Sequence, residues 1–89
     1  MSSSDQPSKS KKIERVQTGV RMEKSLVKVL KGLAEYADIS LGDLLEGIVL
    51  HSFEGKSPFE SEHRQNVIKQ LKSIYHCGLT ADDSHKLEE

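Results

Sequence analysis

The chain has few of the features that stabilise a small fold by covalent or metal bonds. It contains one cysteine, Cys77, so an intrachain disulfide is excluded. Its neighbour His76 could pair with it at a metal, but the other three histidines are scattered and supply no second pair of ligands at zinc-site spacing. Only 35 % of its 89 residues are apolar, and most of these lie between Val16 and Phe53. A segment this short rarely builds a sufficient core alone, so the composition predicts that a second chain completes it.

Other absences exclude whole classes of protein. No stretch approaches the roughly 20 apolar residues that span a bilayer, and residues 1–12 lack the apolar core of a signal peptide. No glycine-rich phosphate loop, nucleophile elbow or catalytic carboxylate pair is present. We therefore expect a soluble, cytoplasmic protein that is not an enzyme and that takes neither a cofactor nor a metal ion.

Charge is unevenly distributed along the chain. Residues 1–24 hold six basic and three acidic side chains, a balance of +3, and since the whole chain carries −1 the remainder carries −4. Residues 1–14 are rich in serine and lysine, which predicts a disordered basic arm, and residues 80–89 predict a disordered acidic tail.

Hydrophobic periodicity divides the rest into elements. Residues 17–22 alternate as a strand does, with Thr18, Val20 and Met22 on one face. Apolar residues at helical spacing then predict helices over Lys24–Ala37 and Leu41–Phe53, and a third over Glu60–Tyr75. Gly47 lies inside the second helix, where glycine is unfavourable, and this predicts a close packing contact at that position. Residues 15–54 thus form the main domain and residues 55–79 a C-terminal helical extension.

The order of strand, helix, tight turn and helix resembles the ribbon-helix-helix family of DNA-binding proteins, typified by the Arc and methionine repressors. Val20-Arg21-Met22 resembles the end of the family strand, and Ile39-Ser40 with Asp43-Leu44-Leu45 resembles the turn and the next helix. The resemblance implies a mainly α fold: a dimer with an antiparallel two-stranded β-ribbon shared between chains, extended here by a C-terminal helix. Its dimer core would comprise Val20, Met22, Leu26, Leu30, Leu33, Leu44, Leu45 and Ile48.

The same resemblance assigns base contacts to the outward strand residues, Gln17, Gly19 and Arg21. Arginine can pair with guanine and glutamine with adenine through two hydrogen bonds in the major groove. Gly19 departs from the polar residue usual at the middle position and would let the backbone approach the bases.

A second group of residues is expected to contact phosphate. The first turn of the second helix offers amides and a positive dipole end to an anion, and basic side chains beside the ribbon add salt-dependent affinity. The expected phosphate contacts are Lys11, Lys12, Arg15 and Lys24, together with Ser40, Leu41 and Gly42, which the resemblance assigns to phosphate.

These features predict a homodimeric, sequence-specific transcriptional regulator of double-stranded DNA, acting as a repressor. Two alternatives stay open. The chain could be the antitoxin of a toxin–antitoxin pair, with its C-terminal region binding a toxin or another protein. It could also be a helical protein-interaction module that does not bind DNA, which the net charge of −1 favours.

Overall fold

The computed structural model describes residues 11–88. In chain order these residues form α1 (Lys24–Ala37), α2 (Leu41–Phe53), α3 (Glu62–Ile74) and a short 3-10 helix at Ala81–Asp83. The bounds predicted for α1 and α2 are confirmed. The helix predicted over Glu60–Tyr75 begins two residues later and ends one residue earlier, as α3. Of the disordered arm predicted over residues 1–14, residues 1–10 lie outside the described residues.

The expectation of a ribbon-helix-helix fold is wrong. Between residues 11 and 88 the secondary structure is helical and contains no strand, and residues 17–22 run toward α1 without regular structure. A strand requires hydrogen bonds to a neighbouring strand, and no other part of the described chain supplies one. Gly19, which is a poor strand former, lies in the middle of the segment. The fold is therefore a three-helix arrangement preceded by an irregular segment.

Side-chain caps explain where the helices begin. Ser40 accepts a hydrogen bond from the Asp43 amide at 3.0 Å, and Ser61 accepts one from the Arg64 amide at the same distance. Each serine satisfies an amide that has no partner within its helix. Ser61 is the reason that α3 starts at Glu62 rather than Glu60.

A left-handed residue ends α1 and sets the turn to α2. Asp38 has φ 61° and ψ 42°, and its amide donates to the carbonyls of Ala34 and Glu35. Aspartate tolerates this conformation better than most side chains. The turn is short, and α2 packs against α1.

The core lies where α1 packs between α2 and α3. Leu33 is its most buried side chain, and Ala34, Leu44 and Val67 complete the buried cluster. The close helix approach occurs at Gly32, where an added Cβ would lie 2.9 Å from Leu71 Cδ2. The packing contact predicted at Gly47 is absent, since nothing in the described chain would lie within 4 Å of a Cβ there.

The chain beyond α3 folds back on the helices. Cys77 is buried, and Lys72 Nζ donates to the Leu79 carbonyl at 2.7 Å. The 3-10 helix is closed by Asp83, whose carboxylate accepts from the Thr80 amide at 2.9 Å. Residues 80–88 thus hold ordered local structure where composition predicts a disordered tail.

Candidate nucleic-acid interface

The segment that precedes α1 is exposed along its whole described length. Every residue from 11 to 24 is exposed to solvent. Its charged side chains are five basic and two acidic, a balance of +3. The segment therefore presents an exposed basic strip.

One side-chain pair holds this segment against α2. Arg15 donates from Nε and Nη2 to the two carboxylate oxygens of Glu46, at 3.0 and 2.9 Å. Asp43 adds a weaker contact, with Oδ1 4.0 Å from Nη2 of the same guanidinium. A fork with two parallel hydrogen bonds fixes direction as well as distance, so the pair sets the path of the neighbouring residues.

An apolar contact supports the same attachment. Ile13 lines a shallow groove with four residues of α2: Leu45, Glu46, Val49 and Leu50. Ile13 is the lone large apolar residue among the described residues before Val16. An isolated apolar residue inside a basic arm is a signal that the arm is tied down, and the sequence reasoning did not use it.

The three base-contact candidates all lie on the exposed segment, beyond the point of attachment. Gln17, Gly19 and Arg21 occupy alternate positions, and each is exposed. A Cβ at Gly19 would meet nothing within 4 Å in the described chain. The structure thus groups these residues on one accessible stretch of backbone.

Arg15 is placed differently from the other phosphate-contact candidates. Its hydrogen bond with Glu46, and then the charge of that carboxylate, raise the pKa of Arg15. The same hydrogen bond, and the positive charge of Arg15, lower the pKa of Glu46. A phosphate beside Arg15 would also lie near the carboxylates of Glu46 and Asp43. The geometry therefore makes Arg15 a residue that positions the segment.

The start of α2 carries the second group of phosphate candidates. Ser40 is occupied as a helix cap, Leu41 packs against the core, and Gly42 is exposed. The first-turn amides have no intrahelical partners by helix geometry, but Asp43 places a carboxylate in the same turn. Lys11, Lys12 and Lys24 are exposed.

The expected dimer-core residues fall into three groups by burial. Leu33 and Leu44 are buried within the single chain. Leu26, Leu30, Leu45 and Ile48 are half-buried. Val20 and Met22 are exposed, at 75 % and 42 %. The apolar face of the 17–22 segment is therefore uncovered by the described chain.

The chain yields no match in three comparisons: no protein-family model, no curated protein and no solved structure is similar to it. Within residues 11–88, no cluster of three His, Cys, Asp or Glu side chains is placed to hold a metal ion. No helix in this part of the chain has the length and apolar character needed to cross a membrane.

Proposed function

We propose that the protein is a DNA-binding transcriptional regulator that contacts double-stranded DNA through residues 11–24. The observation that carries this proposal is the exposed basic segment, which is fixed to α2 at Arg15 and extends past it. Because the segment is attached at Arg15 and again where it enters α1, it has less conformational freedom to lose on binding than a free arm would have.

Each class of side chain on the segment has a role in this proposal. Gln17 and Arg21 reach base edges in the major groove, where their side chains pair with adenine and guanine. Gly19 lets the backbone between them approach the bases. Lys11, Lys12 and Lys24 contact phosphates, which adds affinity without reading sequence.

We infer further that the regulator is a homodimer. Six apolar residues are buried in the described chain, whereas twelve large apolar side chains are exposed. Among the exposed ones are Val16 and Val20 on the basic segment, and Val49, Leu50 and Phe53 on α2. Exposed apolar surface of this extent is typical of a protein–protein interface. A two-fold dimer doubles the basic segments and favours a pseudo-palindromic DNA site.

A protein-interaction module without DNA binding is the second candidate. The observation that favours it is the outer face of α2, where Leu50 and Phe53 are 62 % and 82 % exposed. The antitoxin alternative has less support from α3, because Val67, Ile68 and Leu71 pack inside the chain's own core.

A salt titration separates the two candidates. Fluorescence anisotropy with a labelled duplex of random sequence should give an association constant that falls linearly with salt on logarithmic axes. The variant Lys11→Gln/Lys12→Gln should make the slope shallower by about 1.8 per chain, since each lost phosphate contact contributes about 0.9. The matched control, Lys31→Gln/Lys69→Gln, removes two exposed charges from α1 and α3 and should leave the slope unchanged. Binding that is absent, or equal slopes for the two variants, would favour the interaction module.

A further inference from the structure

Residues 79–88, which we call the C-terminal strap, are tied to the helical body at their start. Lys72 Nζ donates to the Leu79 carbonyl at 2.7 Å, and both residues are half-buried. Cys77, just before the strap, is 5 % exposed. The 3-10 helix at Ala81–Asp83 then turns the chain, with the Thr80 amide bonded to Asp83. The path of the strap is therefore defined by contacts rather than by chance proximity.

The strap ends beside the segment that the proposed function places on DNA. A cavity of about 470 Å³ is lined by residues 21–23 and Leu26 together with Leu87 and Glu88. A second, mostly apolar cavity of about 750 Å³ continues along α1 and is lined by Leu26, Leu30, Leu79 and Leu87 among others. The strap thus lines one cavity with α1 and another with Arg21, a residue assigned above to base contact.

The charge of the strap is opposite to that of its neighbour. Asp82, Asp83 and Glu88 outweigh Lys86, which leaves −2 over residues 79–88 with histidine neutral. The basic segment over residues 11–24 carries +3. Glu88 lines the same cavity as Arg21, and its negative charge would repel a DNA phosphate that entered there. The strap and DNA therefore compete for the same place.

We propose that the C-terminal strap is an autoinhibitory element that lies beside the Arg21 end of the DNA-contacting segment and leaves it when DNA binds. This inference rests on the proposed function, because it requires residues 11–24 to bind DNA. It also assigns a role to the acidic end of the chain, which DNA binding alone does not explain.

Releasing the strap at Lys72 tests this proposal, because the expected change in DNA affinity is opposite to that of losing a positive charge alone. Lys72→Met keeps most of the aliphatic side chain but removes the hydrogen bond to Leu79. Loss of a positive charge ordinarily weakens DNA binding. We expect Lys72→Met instead to bind a random duplex about threefold more tightly than the unaltered chain, because the competing strap is freed. The control Lys69→Met removes an exposed charge from the same helix and should bind equally or more weakly.

A second variant tests the proposal without altering Lys72, so that a change in the fold around that residue cannot explain the result. Asp82→Asn/Glu88→Gln neutralises the strap without touching its hydrogen bonds to Lys72 and Thr80, and should tighten binding by a similar factor. Glu54→Gln/Glu60→Gln makes the same change of charge between α2 and α3 and serves as its control. Equal affinities for both double variants, together with no gain in Lys72→Met, would overturn the proposal.

Nuclear Overhauser contacts separate a failure of the strap from a failure of DNA binding. In the full-length protein without DNA we expect contacts between the methyl groups of Leu26 and Leu87, and their loss on addition of duplex DNA. If DNA binds and these contacts persist, the strap is not an inhibitor, although the proposed function stands. If DNA does not bind at all, both the proposed function and the inhibitory role are overturned, whatever the strap contacts.

Discussion

Arg15 and Glu46 lie 31 residues apart and meet through two parallel hydrogen bonds of 3.0 and 2.9 Å. This pair joins the exposed segment to α2, and both of its members are accessible to solvent. Exposed pairs contribute little to overall stability. Its importance is geometric, since it fixes the position on α2 from which the backbone runs on through Gln17 to Arg21.

The first prediction concerns the protonation of this pair. The hydrogen bonds from Arg15 hold the pKa of Glu46 below its ordinary value of 4.5. A carboxyl whose pKa is lowered on folding stabilises the folded state above its unfolded pKa, and this contribution is lost as pH falls through the folded pKa. Stability should therefore decline as the solution is acidified below about pH 4.5.

The variant Arg15→Gln should return the pKa of Glu46 toward its ordinary value and increase amide hydrogen exchange between residues 12 and 16. A carbon-detected NMR titration of the carboxyl groups measures the first effect. Glu23 is the internal control, because its pKa is lowered by a hydrogen bond from Ser25 that this variant leaves in place. An unchanged Glu46 pKa in Arg15→Gln would show that the pair does not form in solution.

The second prediction concerns the core. Leu33 is 1 % exposed, at the point where α1 meets both other helices. Leu33→Ala should lower the free energy of unfolding by about 2–5 kcal/mol, through lost burial and the cavity that remains. Urea denaturation measures the loss. Leu50→Ala removes the same atoms from a side chain that is 62 % exposed and should cost about 0.5 kcal/mol or less in a single chain.

The third prediction uses the two glycines within helices. Gly47→Ala should stabilise the protein by about 1 kcal/mol, because alanine favours a helix and the site is open in the described chain. Gly32→Ala gains the same helical preference but forces the end of Leu71 to move, so its net gain should be smaller or negative. If thermal denaturation finds Gly47→Ala to be destabilising, another surface, such as a second copy, must pack against that position.

The fourth prediction concerns Arg21. Arg21→Ala should remove selectivity at one base pair, worth about 1–3 kcal/mol, while the affinity for random DNA changes little and the protein stays folded. Competition between a selected site and random duplex measures the loss. Lys24→Ala should instead weaken binding to all sequences alike. An Arg21→Ala protein that unfolds or changes its oligomeric state would place Arg21 in a structural role.

Local features of the fold could be read from the sequence. The apolar spacing from Leu26 to Ala37 fixes a helical face, and Ser40 and Asp38 are residues whose chemistry suits a cap and a left-handed turn. Such signals act over a few residues, and both helices begin and end as they predict.

Contacts between distant residues could not be read in this way. Alternation over residues 17–22 indicates which side chains share a face but not whether a strand lies beside them, and the strand prediction failed there. The pairing of Arg15 with Glu46 and the approach of Leu87 to residues 21–23 depend on the path of the whole chain. These contacts decide which basic residues are accessible to DNA. The sequence could therefore predict which segment carries the candidate site but not how its side chains are arranged.

The central claim is that residues 11–24 form the surface that contacts DNA, and backbone NMR tests it most directly. On titration with a short duplex, the amide shifts from Lys11 to Lys24 should change most, with smaller changes at Leu87 and Glu88. Changes confined to the outer face of α2 or to α3, or no changes at all, would contradict the claim.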